Sequence, residues 1–297
     1  MPNKTSILVT GITGQLGRSL KEIAAAYPNL RFVFVGRQQL DLSNGKSITA
    51  FFEHNRFDIF INCAAYTAVD KAEIENELAD QINHLAVRQL AHISKQQNAK
   101  LIHISSDYVF NGNCSRPYIE TDEVAPKCVY GQTKLHAEQA ILDTLESNAV
   151  IIRTSWLYSK YQTNFVKTML KLGKECGNLN VIFDQVSTPT YAGDLAKAIL
   201  DIIHSQLFKQ PEFKTNLVHY SNEGVCSWYD FAKTIFEITS TSCNVHPIES
   251  KDYPTVAKRP HYSVLNKGKI KQTYSLTIPY WKDSLKQCLL ALEENAR

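Results

Sequence analysis

Tyr130 and Lys134, in Tyr130-Gly131-Gln132-Thr133-Lys134, have the types and the spacing for carbonyl chemistry. On a helix they share one face, a single turn apart. A free phenol titrates at about 10 and is a poor proton source near neutrality; a lysine cation beside it lowers that value. The phenol can then protonate the alkoxide that forms when hydride reaches a ketone, and the ammonium can hold the ribose of a nicotinamide. The spacing alone is not specific, because Tyr229-Asp230-Phe231-Ala232-Lys233 repeats it. Position separates the two copies. Tyr130 follows an apolar run ending Ile104-Ser105-Ser106-Asp107-Tyr108, whose serine hydroxyl can bond a substrate carbonyl, and a glycine-rich turn lies upstream. The second copy has neither and sits behind Ser227, a good helix N-cap, so it reads as an ordinary amphipathic helix. Tyr130, Lys134 and a serine of that strand end are therefore the candidate catalytic set.

The glycine-rich turn is Thr10-Gly11-Ile12-Thr13-Gly14-Gln15-Leu16-Gly17, between an N-terminal apolar strand and a helix. Gly11, Gly14 and Gly17 allow a tight turn and close approach of backbone to a diphosphate, which the free N–H groups and dipole of the helix start would favour. Its G-x-x-G-x-x-G spacing resembles that of extended short-chain dehydrogenase/reductases. The second strand ends Val35-Gly36-Arg37. An acid there would hold the 2′-hydroxyl of NAD, whereas arginine suits the 2′-phosphate of NADP. Arg37 thus points to NADPH and leaves NADH open. Asp41-Leu42 is placed to cover the adenine, and Ala65-Tyr66-Thr67 leaves the third strand where the cofactor should lie.

These groups need a frame, and the pattern supplies one. Apolar runs at 6–10, 31–35, 58–62, 101–105 and 150–153 alternate with helical segments at 15–27, 47–54, 77–96 and 130–147. Repeated strand–helix units with almost continuously apolar strands predict a doubly wound, Rossmann-type α/β fold with a parallel sheet covered on both faces. Ligands of such sheets sit at the carboxyl ends of the strands. The division expected is a nucleotide-binding domain over 1–155 and a smaller, loop-rich substrate lobe over 156–297, some of whose segments return to the sheet. Helices are expected in that lobe at 192–205, 228–239 and 281–294.

Composition is that of a soluble globular protein: 297 residues, 44% hydrophobic, 21% charged, net charge +3. The charge is too small to imply a nucleic-acid partner. No secretory signal or membrane-length apolar run is visible, and the seven cysteines contain no Cys-x-x-Cys pair. A cytoplasmic protein with free thiols is expected, so the Asn-x-Ser/Thr triplets at Asn3 and Asn113 carry no meaning. The nine histidines show no metal spacing. Trp228 reads as packing, whereas Trp156 suits a substrate contact as well as a core role. The loop 253–261, with Lys258, Arg259 and His261, is basic enough to clamp a diphosphate, or simply to be solvated.

Taken together, His103-Ile104-Ser105-Ser106-Asp107-Tyr108-Val109-Phe110, residues 62–73 (NCAAYTAVDKAE), Tyr130–Lys134, residues 153–158 (RTSWLY), residues 184–190 (DQVSTPT) and Lys258-Arg259-Pro260 resemble the dTDP-4-dehydrorhamnose reductase family over almost the whole chain. The resemblance implies that Ser106, Tyr130 and Lys134 are catalytic and that Ser106, Asp107 and Trp156 contact the sugar. It implies that Gly14, Gln15, Leu16, Asp41, Leu42, Ala65, Tyr66, Thr67, Tyr130 and Lys134 bind the cofactor. The substrate would be a nucleotide sugar, with neither nucleic acid nor membrane as partner. The family more often has threonine where Ser106 stands, and the hydroxyl is kept. Relatives that bind magnesium at a dimer interface use glutamates; the matching positions look like Ser19 and Gly193, so no metal is expected, and a monomer or weak homodimer is. Two other readings stay open. One is a nucleotide-sugar epimerase or dehydratase, although Tyr108 stands where dehydratases carry a glutamate. The other is a non-catalytic NADP-binding regulatory subunit.

Overall fold

The computed structural model describes residues 4–294, so the Asn3 triplet lies outside the described residues. Six parallel strands form one sheet: β1 (Thr5–Thr10), β2 (Leu30–Val35), β3 (Ile59–Asn62), β4 (Lys100–Ser106), β5 (Ala149–Thr154) and β6 (Asn216–His219), in the order β6-β5-β4-β3-β1-β2. This is a Rossmann-type α/β fold. The chain runs outward from β1 to β2 and then crosses back to β3, so the switch point lies between β1 and β3.

Side chains alternate across the sheet, and each face buries its own set. Ile7, Val9, Ile61 and Ile152 face α1 (Gln15–Ile23) and α6 (Ala192–His204). Leu8, Phe60, Leu101 and Ile151 face α2 (Gly45–Glu53), α3 (Ala86–Gln97) and α4 (Val129–Thr144). Each fully buried aliphatic or Phe side chain contributes about 1.5–3 kcal/mol relative to an exposed one. That is why these short strands are Val/Ile-rich on both faces rather than alternating with polar residues. A third cluster joins α5 (Phe165–Glu175), α7 (Trp228–Thr239) and α8 (Trp281–Glu294) through Val166, Met169, Phe231, Ile235, Trp281 and Leu285. A two-stranded parallel ladder, Asn178–Ile182 with Asn244–Ile248, packs against α7.

Several elements depart from the pattern reading. The helix expected at 77–96 is Asn76–Asp80, then a π turn at Gln81–Leu85, then α3. In that turn Asn83 is buried; it accepts from Tyr66 N–H at 2.8 Å and donates to Tyr66 C=O at 3.1 Å and Thr133 Oγ1 at 3.1 Å. The first helix stops at Ile23 and continues as a 3-10 turn over Ala24–Ala26. Residues 216–219 lie beside β5, and α6 packs on α1, so the second half of the chain contributes to the sheet and to its cover. No described helix is long and apolar enough to cross a membrane.

Candidate active site

The parallel arrangement brings Thr10, Asn62, Ser106 and Thr154 to one edge of the sheet, and a cavity of about 850 Å³ opens there. Its first wall is the glycine-rich turn. Gly11 has φ +72°, and a Cβ on it would stand 2.8 Å from Ala64 N, so the turn tolerates no side chain there. Gly17 does a different job from the one expected. It does not line the cavity; a Cβ on it would come within 2.3 Å of Gly11 O, so it lets α1 pack under the turn. Gly14 caps α1 without a side-chain cap bond, which leaves the helix's first N–H groups for an anion. Gln15 spans the cavity: its Nε2 donates to Leu157 O at 3.1 Å, while Ser159 Oγ and Asn164 Nδ2 donate to its Oε1, each at 2.9 Å.

The second wall carries the candidate catalytic set. Ser106 ends β4, and its Oγ donates to Asp107 Oδ1 at 3.1 Å and accepts from Tyr108 N–H at 3.2 Å. Tyr130 and Lys134 sit in the first two turns of α4, which starts from Cys128, with Glu73 Oε1 accepting from Val129 N–H at 2.8 Å. A carboxylate at that end suits the helix dipole. Gly131 lets the helix dock: a Cβ there would lie 2.3 Å from Tyr108 O. Both Tyr130 and Lys134 line the cavity, whereas Tyr229 and Lys233 do not. The Tyr229 copy opens α7, whose Ser227 and Asp230 form a reciprocal capping box.

Burial pushes the Tyr130 phenol up to about 12, opposed by the neighbouring Ser106 hydroxyl. Lys134 is 1% exposed, and burial brings its ammonium down to about 8, opposed by the Glu138 charge. Its Nζ donates to Ile104 O at 2.6 Å and lies 3.3 Å from His103 Nε2. The expected lowering of the phenol by the lysine is therefore not what dominates; desolvation keeps Tyr130 protonated, which suits an acid. Asp107 is also buried, and burial raises its carboxyl to about 7 against hydrogen bonds from Ser263, at 2.6 Å, and Ser106.

At the β2 end, Arg37 lines the cavity with its side chain 73% exposed, 3.4 Å from Asp41 Oδ1 and donating to Ser43 Oγ at 3.2 Å. Leu16, Asp41, Leu42, Ala65 and Thr67 also line it. Tyr66 departs from expectation: its hydroxyl donates to Glu75 Oε2 at 2.7 Å and its ring does not line the cavity. Arg259 departs too. Its guanidinium pairs with Asp70 at 2.6 Å, its Nε is buried without a partner, and it lies outside the lining.

The third wall is aromatic. Trp156 has φ +44°, an uncommon backbone for a bulky residue, and its ring stacks on Trp228 with centroids 3.5 Å apart. Trp228, read from sequence as packing, lines the cavity with Phe165 and Trp156. Behind Ser106, Glu138 and Arg153 form a buried bidentate pair, with Ser105 Oγ donating to Glu138. Sequence reasoning missed this pair, since its members lie on α4 and β5. Asp80, His84 and His136 form the one group of potential metal ligands among the described residues, and none of the three lines the cavity.

Residues 5–294 match the model of the RmlD substrate binding domain family. The dTDP-4-dehydrorhamnose reductase of Escherichia coli K12 is 39% identical over 292 residues, 96% of this chain and 97% of that one. The chain belongs to the dTDP-4-dehydrorhamnose reductase family. Among solved structures, the reductase of Clostridium acetobutylicum superposes with a TM-score of 0.90 at 38% identity, over 97% of this chain and 100% of that one. That of Bacillus anthracis, solved in complex with NADP, gives 0.90 at 37% identity over the same shares.

Proposed function

We propose that the protein reduces the 4-keto group of dTDP-4-dehydro-6-deoxy-L-mannose to dTDP-L-rhamnose, a step that supplies polysaccharide synthesis, with NADPH as donor and NADH as the weaker alternative. The observation that carries this reading is that Ser106, Tyr130 and Lys134 line one cavity together with an uncapped, glycine-built helix start. The residues present fit a dinucleotide: Gly11 leaves room for a phosphate, the N–H groups that follow Gly14 point at it, and Arg37 is free enough to meet a 2′-phosphate. Bound nicotinamide would supply the hydride. Ser106 and Tyr130 would hold the sugar's carbonyl oxygen between two hydroxyls. Tyr130 would give its proton to the oxygen as negative charge develops, and Lys134 would hold the ribose and replace that proton's charge. Asp107 and the Trp156–Trp228 wall would orient the sugar, whose ring offers hydroxyl edges and an apolar face. The test is oxidation of NADPH by the purified protein with enzymatically made dTDP-4-keto-6-deoxy-L-sugar. No consumption by folded protein would overturn the reading.

Cofactor choice should rest on Arg37. Arg37→Ala is expected to raise the KM for NADPH at least about tenfold, the scale of one charge-assisted hydrogen bond, and to leave that for NADH nearly unchanged. Equal changes would make Arg37 a surface charge.

The loop 253–261 would close over the diphosphate. Asp70 accepts from Ala257 N–H at 3.1 Å as well as pairing with Arg259, so it latches this loop to the first half of the chain. Arg259 would turn its unused Nε edge to a phosphate. Arg259→Ala should weaken dTDP binding about tenfold or more by calorimetry, with NADPH affinity unchanged. Asp70→Asn separates contact from latch: if Arg259 touches phosphate, this variant loses much less, and an equal loss would leave only the latch.

A cytoplasmic monomer or weak homodimer is the state proposed. All seven cysteines are unpaired. Ser19 is buried with its hydroxyl on Gln15 O at 3.0 Å, and Gly193 sits against the Tyr191 ring, so neither position offers a carboxylate to a shared ion.

A further inference from the structure

Behind the cavity four polar side chains form an unbroken buried chain. Thr10, Asn62, His103 and Lys134 are exposed by 3%, 1%, 0% and 1%. Thr10 Oγ1 accepts from Ala64 N–H at 3.2 Å and donates to Asn62 Oδ1 at 2.6 Å. Asn62 Nδ2 faces His103 Nδ1 at 3.1 Å, and His103 Nε2 faces Lys134 Nζ at 3.3 Å. Burial, then the Lys134 charge, keeps the imidazole far below its usual range, so it is neutral and carries one proton.

The direction of each bond follows from the first. The Ala64 amide can only donate, so the Thr10 hydroxyl is left to donate to the Asn62 carbonyl oxygen. That orients the Asn62 amide group toward His103 Nδ1, which must then accept. The imidazole proton is thereby placed on Nε2, facing Lys134. A neutral amine can accept it while still donating to Ile104 O; an ammonium cannot, because all its hydrogens are donors. To hold an ammonium, His103 must move its proton to Nδ1 and Asn62 must turn over. Thr10 then accepts twice, and its own buried hydrogen has no partner in this chain.

We infer that Thr10, Asn62 and His103 form a polarised hydrogen-bond chain that sets whether Lys134 holds its proton, with His103 a positioning residue acting through the lysine. Thr10 is the last residue of β1, immediately before Gly11, so the chain joins the glycine-rich turn to the lysine. The other ionisable groups facing Lys134 are Glu138 on its own helix, whose charge acts on the lysine and which is itself paired with Arg153 of β5, and Tyr130 and Asp107, which line the same cavity. Among the ionisable groups of the described residues, the imidazole is the one hydrogen-bonded to the amine.

The consequence for turnover rests on the role proposed for Lys134, but the chain itself does not, so the test reads it without turnover. Nitrogen NMR of the labelled imidazoles, assigned with His103→Gln, and carbon NMR of labelled lysines, assigned with Lys134→Met, are followed from about pH 6 to about pH 9.5 on the whole protein. The His103 proton should sit on Nε2 at the alkaline end and on Nδ1 at the acid end, with a midpoint matching the Lys134 titration near 8. Thr10→Val removes the group that fixes Asn62, so both midpoints should rise together by about one pH unit, a tenfold gain in proton affinity. A single tautomer across the range in the native protein overturns the inference, and this holds whether or not the variant folds. A folded Thr10→Val protein with unmoved midpoints overturns it too. Loss of the reductase reading alone would leave both NMR results standing.

Discussion

Replacing Tyr130 by phenylalanine is expected to lower turnover by about a hundredfold or more, the usual contribution of a positioned general acid, while leaving the fold intact. The ring packs edge-on against Tyr108 with centroids 5.6 Å apart, and phenylalanine keeps that contact. What is lost is the phenol hydroxyl that lines the cavity with Ser106 and Lys134. Tyr229→Phe is the matched control: same residue, same sequence spacing to a lysine, no place in the cavity lining. It should turn over at nearly the native rate. Near-normal turnover in Tyr130→Phe, or collapse in a folded Tyr229→Phe protein, would show that the wrong copy had been assigned. The pH profile adds a second reading of the same site. With Tyr130 pushed up to about 12 it stays an acid through neutrality, whereas Lys134 loses its proton near 8. The sign follows: Lys134 falls below the ordinary lysine value, so its cation is present below about pH 8 and lost above it. The native kcat/KM should therefore fall on the alkaline side near 8, far below the phenol's own titration.

Glu138→Gln should be the most destabilising single change among those considered. Arg153 and Glu138 are 4% and 1% exposed at their side chains and 2.6 Å apart, so the substitution leaves a guanidinium buried without its counter-charge. Breaking such a pair costs about 3–5 kcal/mol, and in a chain of this size that corresponds to a melting temperature lower by on the order of 10 °C. The nearest alternative partners do not compensate: His219 Nε2 is 3.5 Å from Arg153 and burial drives that imidazole down to about 3, so it is a neutral neighbour, and Phe110 offers only its ring face. A thermal scan checks the value. Replacing both partners by apolar residues should recover much of the loss, because the isolated charge goes too. Lys197→Ala, which breaks an exposed pair with Asp201, should change stability by less than about 0.5 kcal/mol. A Glu138→Gln protein as stable as the native one would mean that Arg153 is served by water or by the backbone.

The first five strands were legible because burial on both faces forces apolar runs such as Ile7-Leu8-Val9 and Val150-Ile151-Ile152, bounded by polar or glycine punctuation. The candidate catalytic set was legible because Ser106 and Tyr130 each sit next to a boundary of an element, where order along the chain maps onto one edge of a parallel sheet. β6 was not picked out: four residues, Asn216–His219, carry too little periodicity to separate a strand from a loop. Trp228, read as packing, does pack against the third cluster, but its place in the cavity lining was not legible, for a related reason. Its position on α7 announces an amphipathic helix, whereas the ring it stacks on belongs to Trp156, 72 positions earlier, with a left-handed backbone. Arg259 shows the limit of composition. A basic loop advertises charge, and only the fold reveals that Asp70, 189 positions away, answers it first. The Glu138–Arg153 pair and the Thr10–His103 chain are likewise relations between elements, invisible to any local pattern.

The bonds of Gln15 across the cavity would couple the two candidate ligand regions. One amide on the helix that follows the glycine-rich turn is bonded to Leu157, Ser159 and Asn164, and Gln162 Nε2 reaches back to Thr13 O at 2.6 Å. A ligand that restricts residues 11–17 would then restrict 157–164 as well, and the ordering cost would be met once. A dinucleotide seated first should raise affinity for the nucleotide sugar, and the sugar nucleotide should raise affinity for the dinucleotide by the same factor, since a coupling free energy has no direction. Gln15→Ala would separate the two, leaving each ligand to meet the full entropy of its own segment and reducing that shared factor toward one.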